Sequence, residues 1–471
     1  MTSNDAGARQ MAARDAVLVY DETDRHLSNI VAVYVFDEST PGAAPPHGAA
    51  AVDWMRDRLG YSPIFRQRLR QVPFGFPYWV PDPDFDIHRH VHTRPAADWA
   101  EARRRIADIA STRMDLTRPP WEIHVMNDIR DAPHLPGPAT IVVLKFHHSA
   151  CDGVATRALE ARLFAPDAVP ARAESIAEWS YSAARRRAVA TLPYHLVRFA
   201  VGLKRTRAAA ARVRARAAAG ELHEPEPFRP ATRFNRRVRE RLAFDTVEFS
   251  FDEIKAAKDG FGAGVTVNDL LLTVVSGALA AYLGERNETP PTSLAAMVPM
   301  SMRGIAQWNS SNQLAQLAVD LHTDIADPVR RLRAITRSAA RQKQRQRDSA
   351  VLARESRVET APAWLLRLAG WARARRVFDD VETVPLINTT ISNVPRVAED
   401  LAFGGAGLAV ALGVLPIMDG DGLRHLITSQ GDRILLTFSA DPAMLPDPAR
   451  YGELLLGSFR ALTAALERSP A

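Results

Sequence analysis

The feature that most constrains this chain is a break near its middle. Residues 220–230, GELHEPEPFRP, place three prolines and three glutamates within eleven residues. Proline lacks a backbone donor and steers the residue before it away from helix, so no helix or central strand runs through this segment. The 471 residues therefore divide into 1–180, a helical crossover and linker at 181–230, and 231–471, two halves of similar size. In the first half, 29–36 (NIVAVYVF), 121–126 (WEIHVM) and 140–146 (TIVVLKF) read as strands, and 99–114 and 154–164 as helices. In the second, 246–251, 293–298, 313–319, 386–392, 423–429 and 433–438 read as strands, and 267–283, 328–347, 363–372 and 447–466 as helices. This mixture predicts an α/β class, with α+β sandwich-like halves that each build a sheet. The run 270–283 is apolar almost all round. At about 14 residues it is short for a bilayer span and is expected to be a core helix.

Composition enters through charge. The hydrophobic share of 46% and charged share of 24% are globular usage. The net charge is +6 and the pI near 9.6, but the excess is local. Residues 179–220 carry ten cations and no acid, and 328–347 carry eight and no acid. The rest holds 42 cations against 54 acids, a net of −12. The body is acidic, with two basic helical stretches. The first interleaves Arg with Leu192, Tyr194, Leu196, Val197, Phe199, Val201 and Leu203. That mixture suits an anionic lipid interface, and equally a helix with an Arg-rich solvated face. The second is read as a surface helix near a phosphorylated ligand. Neither stretch interleaves aromatics in the manner of nucleic-acid binders, and no binding motif accompanies them, so no nucleic-acid partner is expected. The N-terminal MTSNDAGARQMAARDAV lacks the apolar core of a signal peptide. No unbroken run of about 18 apolar residues predicts a membrane span. The single cysteine, Cys151, excludes an internal disulfide or a cysteine zinc site. These features predict a cytoplasmic protein with no metal and no cofactor.

The chemistry concentrates at 146–153, FHHSACDG, between an apolar strand and a helical pattern. Neighbouring residues of an extended segment point opposite ways, so His147 and His148 cannot share one role. An imidazole near its ordinary pKa is a natural base at neutral pH. Asp152 follows His148 by four residues. It can orient a ring, or anchor the loop through a salt bridge. Gly153 is expected to free the backbone to turn. Cys151 is expected to be a small buried apolar residue rather than a nucleophile.

The residues HHSACDG match the HHxxxDG pattern of the CoA-dependent acyltransferase superfamily. The sequence around them resembles the bacterial wax ester synthase/diacylglycerol acyltransferase family. The matches run in order: Phe65-Arg-Gln-Arg-Leu69, WVPDPDFD from Trp79, His90-Val-His92, and MDLTRPPWE from Met114. After the motif come VNDLLL from Val267, VPMSMR from Val298, ISNVP from Ile391 and FSAD from Phe438. The resemblance implies two chloramphenicol acetyltransferase-like halves with a cleft or tunnel between them. It implies acyl transfer from acyl-CoA, as co-substrate, to the hydroxyl of diacylglycerol or a long-chain alcohol. On the resemblance His148 is the general base, His147 supports the loop, and Asp152 pairs with an arginine, Arg303 being the candidate. Asn268 and Asp269 open a helix beside the site, where Asn268 either serves the active centre or caps the helix. Trp121 walls the acyl channel or fills the core. Peripheral contact with a membrane or lipid droplet is implied.

Two departures stand out. Pro-Leu-Trp appears as Pro119-Pro120-Trp121, and the glycine of Ser-Asn-Val-Pro-Gly-Pro is replaced by Arg396. The segment 309–313, NSSNQ, is a loose match to the family's Gly-Asn segment. These changes leave open a related enzyme for another lipid or polyketide alcohol, or a non-catalytic lipid-surface paralogue.

Overall fold

The computed structural model describes residues 7–171, 179–239, 241–306, 308–379 and 381–468. The expectations made for the extreme N-terminus, 1–6, lie outside the described residues. Two six-stranded mixed sheets carry the fold. The first runs in the order Ala402–Phe403, Ala406–Val414, Asn29–Asp37, Ala139–His147, Trp121–Ile129, Val91–Thr93. The second runs Leu314–Asp320, Ala295–Ser301, Thr389–Asn393, Leu423–Gln430, Arg433–Ala440, Ala243–Ser250.

The strand Ala139–His147 is buried at every residue. Its neighbours Asn29–Asp37 and Trp121–Ile129 both pair with it antiparallel. Its even-numbered residues Val142, Leu144 and Phe146 join one core with Trp121, Phe65 and Phe164. Ile141 and Val143 join another, with Val31, Val33, Ile106, Phe244 and Leu435. That second core draws Phe244 and Leu435 from strands of the other sheet, so apolar burial holds the two sheets together.

The first sheet is not built from the first half alone. Ala406–Val414 (AGLAVALGV) lies beyond the linker yet pairs antiparallel with Asn29–Asp37. The chain division at 181–230 is therefore not a division of the sheets. Sequence reading passes over this strand because Ala and Gly are poor strand formers. The packing explains the composition: a β-carbon at Gly413 would overlap Leu426 of the second sheet. The small residues let one strand lie close to both sheets.

Helix boundaries correct two expectations. The helix Trp99–Ala110 stops four residues short of the expected 114. Val267–Gly284 has 18 residues, long and apolar enough to cross a bilayer. Its core role is decided by packing rather than length, since most of it is buried in the second half's core. Pro328–Gln346 places Leu332, Ile335 and Ala339 in the second half's core and also buries Arg331 and Arg345. It is therefore less of a surface helix than its charge suggests.

Candidate active site

The motif strand ends in a closed turn. The amide of Ala150 donates to the His147 carbonyl at 3.0 Å. The Asp152 side chain then accepts from the Ala155 amide at 3.0 Å and caps the helix Gly153–Leu163. Each motif residue is held by a different element.

His147 is fully buried. Its Nδ1 accepts from the Ser149 amide at 3.2 Å and lies 2.6 Å from the Ser149 hydroxyl. An accepting Nδ1 places the ring proton on Nε2, which faces Glu22 Oε1 at 3.3 Å. Burial alone would raise the Glu22 pKa, but His147 and Arg113 outweigh it and hold the carboxyl below the ordinary carboxylate range. His147 is thus held through Nδ1, with Nε2 turned toward the Glu22 carboxylate, and supports the turn.

His148 is treated differently. Its amide donates to the Ser28 carbonyl at 2.7 Å, and its carbonyl accepts from Asn312 Nδ2 at 2.7 Å. The backbone is clamped on both sides, yet the ring Nδ1 has no hydrogen-bond partner among the described residues. Burial pushes the His148 pKa below the ordinary imidazole value. Contacts with its own backbone and Asn312, and the Asp152 charge, offset only part of that. The ring is neutral at pH 7, the form that can take a proton.

Asp152 is fully buried and does not orient a histidine ring. Arg303 Nη2 donates to its Oδ2 at 2.6 Å, so the expected Asp152–Arg303 pair is present. Arg303 follows the strand Ala295–Ser301 of the second sheet. The carboxylate therefore caps the motif helix and ties the motif to the other half. Asn312 comes from the same connection, just before Leu314–Asp320. The loop between these two strands, at one edge of the second sheet, touches the motif twice.

Asp15 shapes that loop and was missed in the sequence. Buried on the helix Ala13–Tyr20, it accepts from the Ser310 hydroxyl and from the Ser311 and Asn312 amides at 2.7–3.1 Å. Its second contact with Asn312, at 2.9 Å, is to the same Nδ2 that holds the His148 carbonyl. The polar run NSSN was the available signal. Glu22 carried none, because its partner lies more than a hundred residues away in sequence.

The remaining candidates fall into structural roles. Trp121 is fully buried; its Nε1 donates to the Phe65 carbonyl at 3.0 Å and its ring stacks on His90 at 4.7 Å. It fills the core behind the motif strand. Asn268 is not the cap of its helix. Thr266 is, in a reciprocal capping box with Asp269, whose Oδ2 accepts from the Thr266 amide at 2.9 Å. Gly153 has no left-handed φ, and a β-carbon there would meet Val394 at an ordinary 3.6 Å. Its expected conformational freedom is not used. Cys151 is buried, and burial pushes its thiol up to about 12, so it is a poor nucleophile. Arg396, the departure from Ser-Asn-Val-Pro-Gly-Pro, sends its guanidinium to Glu399 at 2.8 Å and to the Gly431 carbonyl at 2.5 Å. Its charge is neutralised there. An apolar-lined cavity of about 500 Å³, walled by Val19, Leu69, Met114 and Leu116, reaches Glu22 behind His147.

The two-halved fold is shared with solved acyltransferase structures. The comparisons narrow the class. The model of the wax ester synthase/diacylglycerol acyltransferase catalytic domain matches residues 11–271, and that of the family's C-terminal domain matches 310–463. The chain belongs to the wax ester synthase/diacylglycerol acyltransferase family and is an acyltransferase. A Mycobacterium tuberculosis (strain CDC 1551 / Oshkosh) protein named as a diacylglycerol O-acyltransferase is 29% identical over 440 residues, covering 90% of this chain and 92% of the relative. The structure of the wax ester synthase/diacylglycerol acyltransferase from Marinobacter aquaeolei VT8 superposes with a TM-score of 0.66 at 21% identity, covering 97% of this chain and all of that one. The trichothecene 15-O-acetyltransferase of Fusarium sporotrichioides shares the fold at a TM-score of 0.58 and 12% identity, over 98% and 95% of the two chains.

Proposed function

We propose that this enzyme moves a long-chain acyl group from acyl-CoA to the hydroxyl of diacylglycerol or a fatty alcohol, with His148 as general base. The observation that carries the reading is the His148 ring: neutral, half-buried, unpartnered at Nδ1, and set on a backbone clamped from both halves. The acceptor hydroxyl gives its proton to the imidazole as its oxygen attacks the thioester carbonyl. The tetrahedral intermediate collapses, the C–S bond breaks, and the leaving thiolate takes the proton from the imidazolium. Ester and free CoA thiol result, and no acyl-enzyme forms. Asp152, Arg303, Asn312 and Asp15 are positioning residues, holding the two halves in one geometry so that proximity supplies much of the rate. The test is purified protein with long-chain acyl-CoA against diacylglycerols, monoacylglycerols and fatty alcohols. Ester formed only on non-glyceride, non-fatty alcohols would assign a different acceptor.

The acceptors live in membranes, and the same reading includes a peripheral station on an anionic lipid surface, reached from the cytoplasmic side. One exposed face supports it. On Leu192–Ala218, Tyr194 is 65% and Val197 64% exposed; on Ala363–Arg373, Leu368 is 52% and Trp371 54%. Phe199 of the first helix packs into a cluster with Leu366 of the second, which joins the two. Arg367 reaches Gln71 at 2.5 Å. The acid-free arginines of 179–220 flank these residues. Neutralising the arginines between Arg185 and Arg216 should release the protein from anionic liposomes; unchanged binding would sink the membrane reading.

A further inference from the structure

A cavity of about 450 Å³ lies on the first sheet, on the face opposite Trp121. Six cations line it: Arg89, Arg94, Arg105, Arg118, Lys145 and Arg241. They come from five stretches of chain, one of them beyond the linker, so this is not a stripe along one helix. Only Glu122 and Asp108 among the lining residues are acidic. Arg241 meets Asp108 at 2.5 Å. Arg89, Arg105 and Arg118 also meet Asp86, Glu101 and Asp115 outside the cavity. Even so, the buried Arg105 Nε has no hydrogen-bond partner among the described residues. Lys145 is wholly buried, and its one carboxylate, Glu122 Oε2, stands at 3.5 Å and is shared with His124 Nε2 at 3.0 Å.

His92, Glu122 and His124 bring their ligating atoms within 4.8 Å of one another in this cavity, a spacing that would also suit a metal ion. The neighbours argue against a cation. Arg94 Nε donates to His124 Nδ1 at 3.0 Å, which uses that lone pair and puts the ring proton on Nε2 toward Glu122. An incoming divalent ion would also meet Lys145 and Arg94 at contact range. The same surroundings favour an anion, and several guanidinium groups around one cavity suit a phosphate.

We infer that this cavity is a binding site for a phosphate-bearing ligand, a phosphomonoester or diphosphate. Its volume suits the phosphate end of a small molecule. Lys145 lies two residues before His147 on the same face of the motif strand, which places an occupant beside the catalytic turn. Two sources share this chemistry: the nucleotide end of the acyl donor, and a phosphoglycerol headgroup. The choice between them rests on the proposed acyl transfer; the site itself does not.

The test is calorimetric binding to the full chain, which needs no turnover and so can succeed or fail independently of activity. The probes are inorganic phosphate, adenosine 3′,5′-bisphosphate and glycerol 3-phosphate. The expected result is saturable binding that weakens about tenfold or more in an Arg94→Gln/Arg118→Gln variant. Both arginines are exposed, so the variant folds, as circular dichroism would verify. Preference for the bisphosphate assigns the site to the donor, and preference for glycerol 3-phosphate assigns it to a headgroup. No saturable binding of any probe, or binding that the double variant leaves unchanged, overturns the proposal. So does tight zinc binding that phosphate does not oppose.

Discussion

His148 and His425 show how one residue type serves opposite ends in the two sheets. His425 sits within Leu423–Gln430 of the second sheet, fully buried, with Nε2 2.8 Å from the Tyr451 hydroxyl and Nδ1 3.4 Å from Thr389 Oγ1. Both nitrogens are occupied, and burial lowers its pKa to about 3. His148 stands just past the end of its strand, with a clamped backbone and an unpartnered Nδ1. A buried polar group whose partners are all protein atoms is structure. One left without a protein partner where the two halves meet is the candidate for chemistry.

The largest effect expected separates these two histidines. His148→Ala should lower acyl transfer by about 10²–10⁴-fold, the usual worth of a general base, with the denaturation midpoint unchanged. His425→Ala should cost about 3 kcal/mol through lost packing and a lost hydrogen bond, with the folded fraction still active. Chemical denaturation alongside activity assays on both variants would show it, and a reversed pattern would break the comparison. Next comes the clasp. Arg303→Ala leaves the Asp152 carboxylate buried without its ion pair; Arg303 is itself partly exposed, so a loss on the order of 2 kcal/mol is expected. The kcat should fall too, because the second half no longer holds the motif.

Acid should then find His425. Its folded pKa lies near 3, whereas an unfolded imidazole titrates near about 6.5. Below that value the unfolded chain takes the proton first. The contribution to stability is therefore full above about 6.5 and is lost progressively toward pH 3. By pH 5 the loss is on the order of 2 kcal/mol, and His425→Gln should flatten this dependence in denaturation at pH 7 and pH 5. The smallest effect is expected at Gly153. Gly153→Ala meets only ordinary contact with Val394, so stability should change by less than about 1 kcal/mol. A large loss would mean the position needs a glycine after all.

The site was legible where chemistry is local. The His-His-Asp-Gly run, the strand before it and the helix after it sit within one short segment, and the arginine partner of Asp152 followed from the family pattern. The clasp was not. Asp15 holds the NSSN loop from nearly three hundred residues away, and no periodicity or spacing links positions brought together by a loop on the other sheet. The missing strand Ala406–Val414 failed for another reason. Its Ala and Gly content reads as weak strand propensity, yet that content is what close approach to Leu426 demands. Gly153 shows the converse: a glycine expected to serve a turn adopts a conformation open to any residue.

The most direct test of the central claim is the pH dependence of kcat/KM for acyl transfer from a long-chain acyl-CoA to diacylglycerol, for the wild type and for His148→Gln. Burial lowers the His148 pKa, and a base acts only when deprotonated. The wild-type rate should hold through neutrality and fall on the acid side, with a midpoint below about 6.5. That limb should vanish in the variant, along with most of the rate. A variant that keeps the wild-type rate and the same acid limb would contradict His148 as the base.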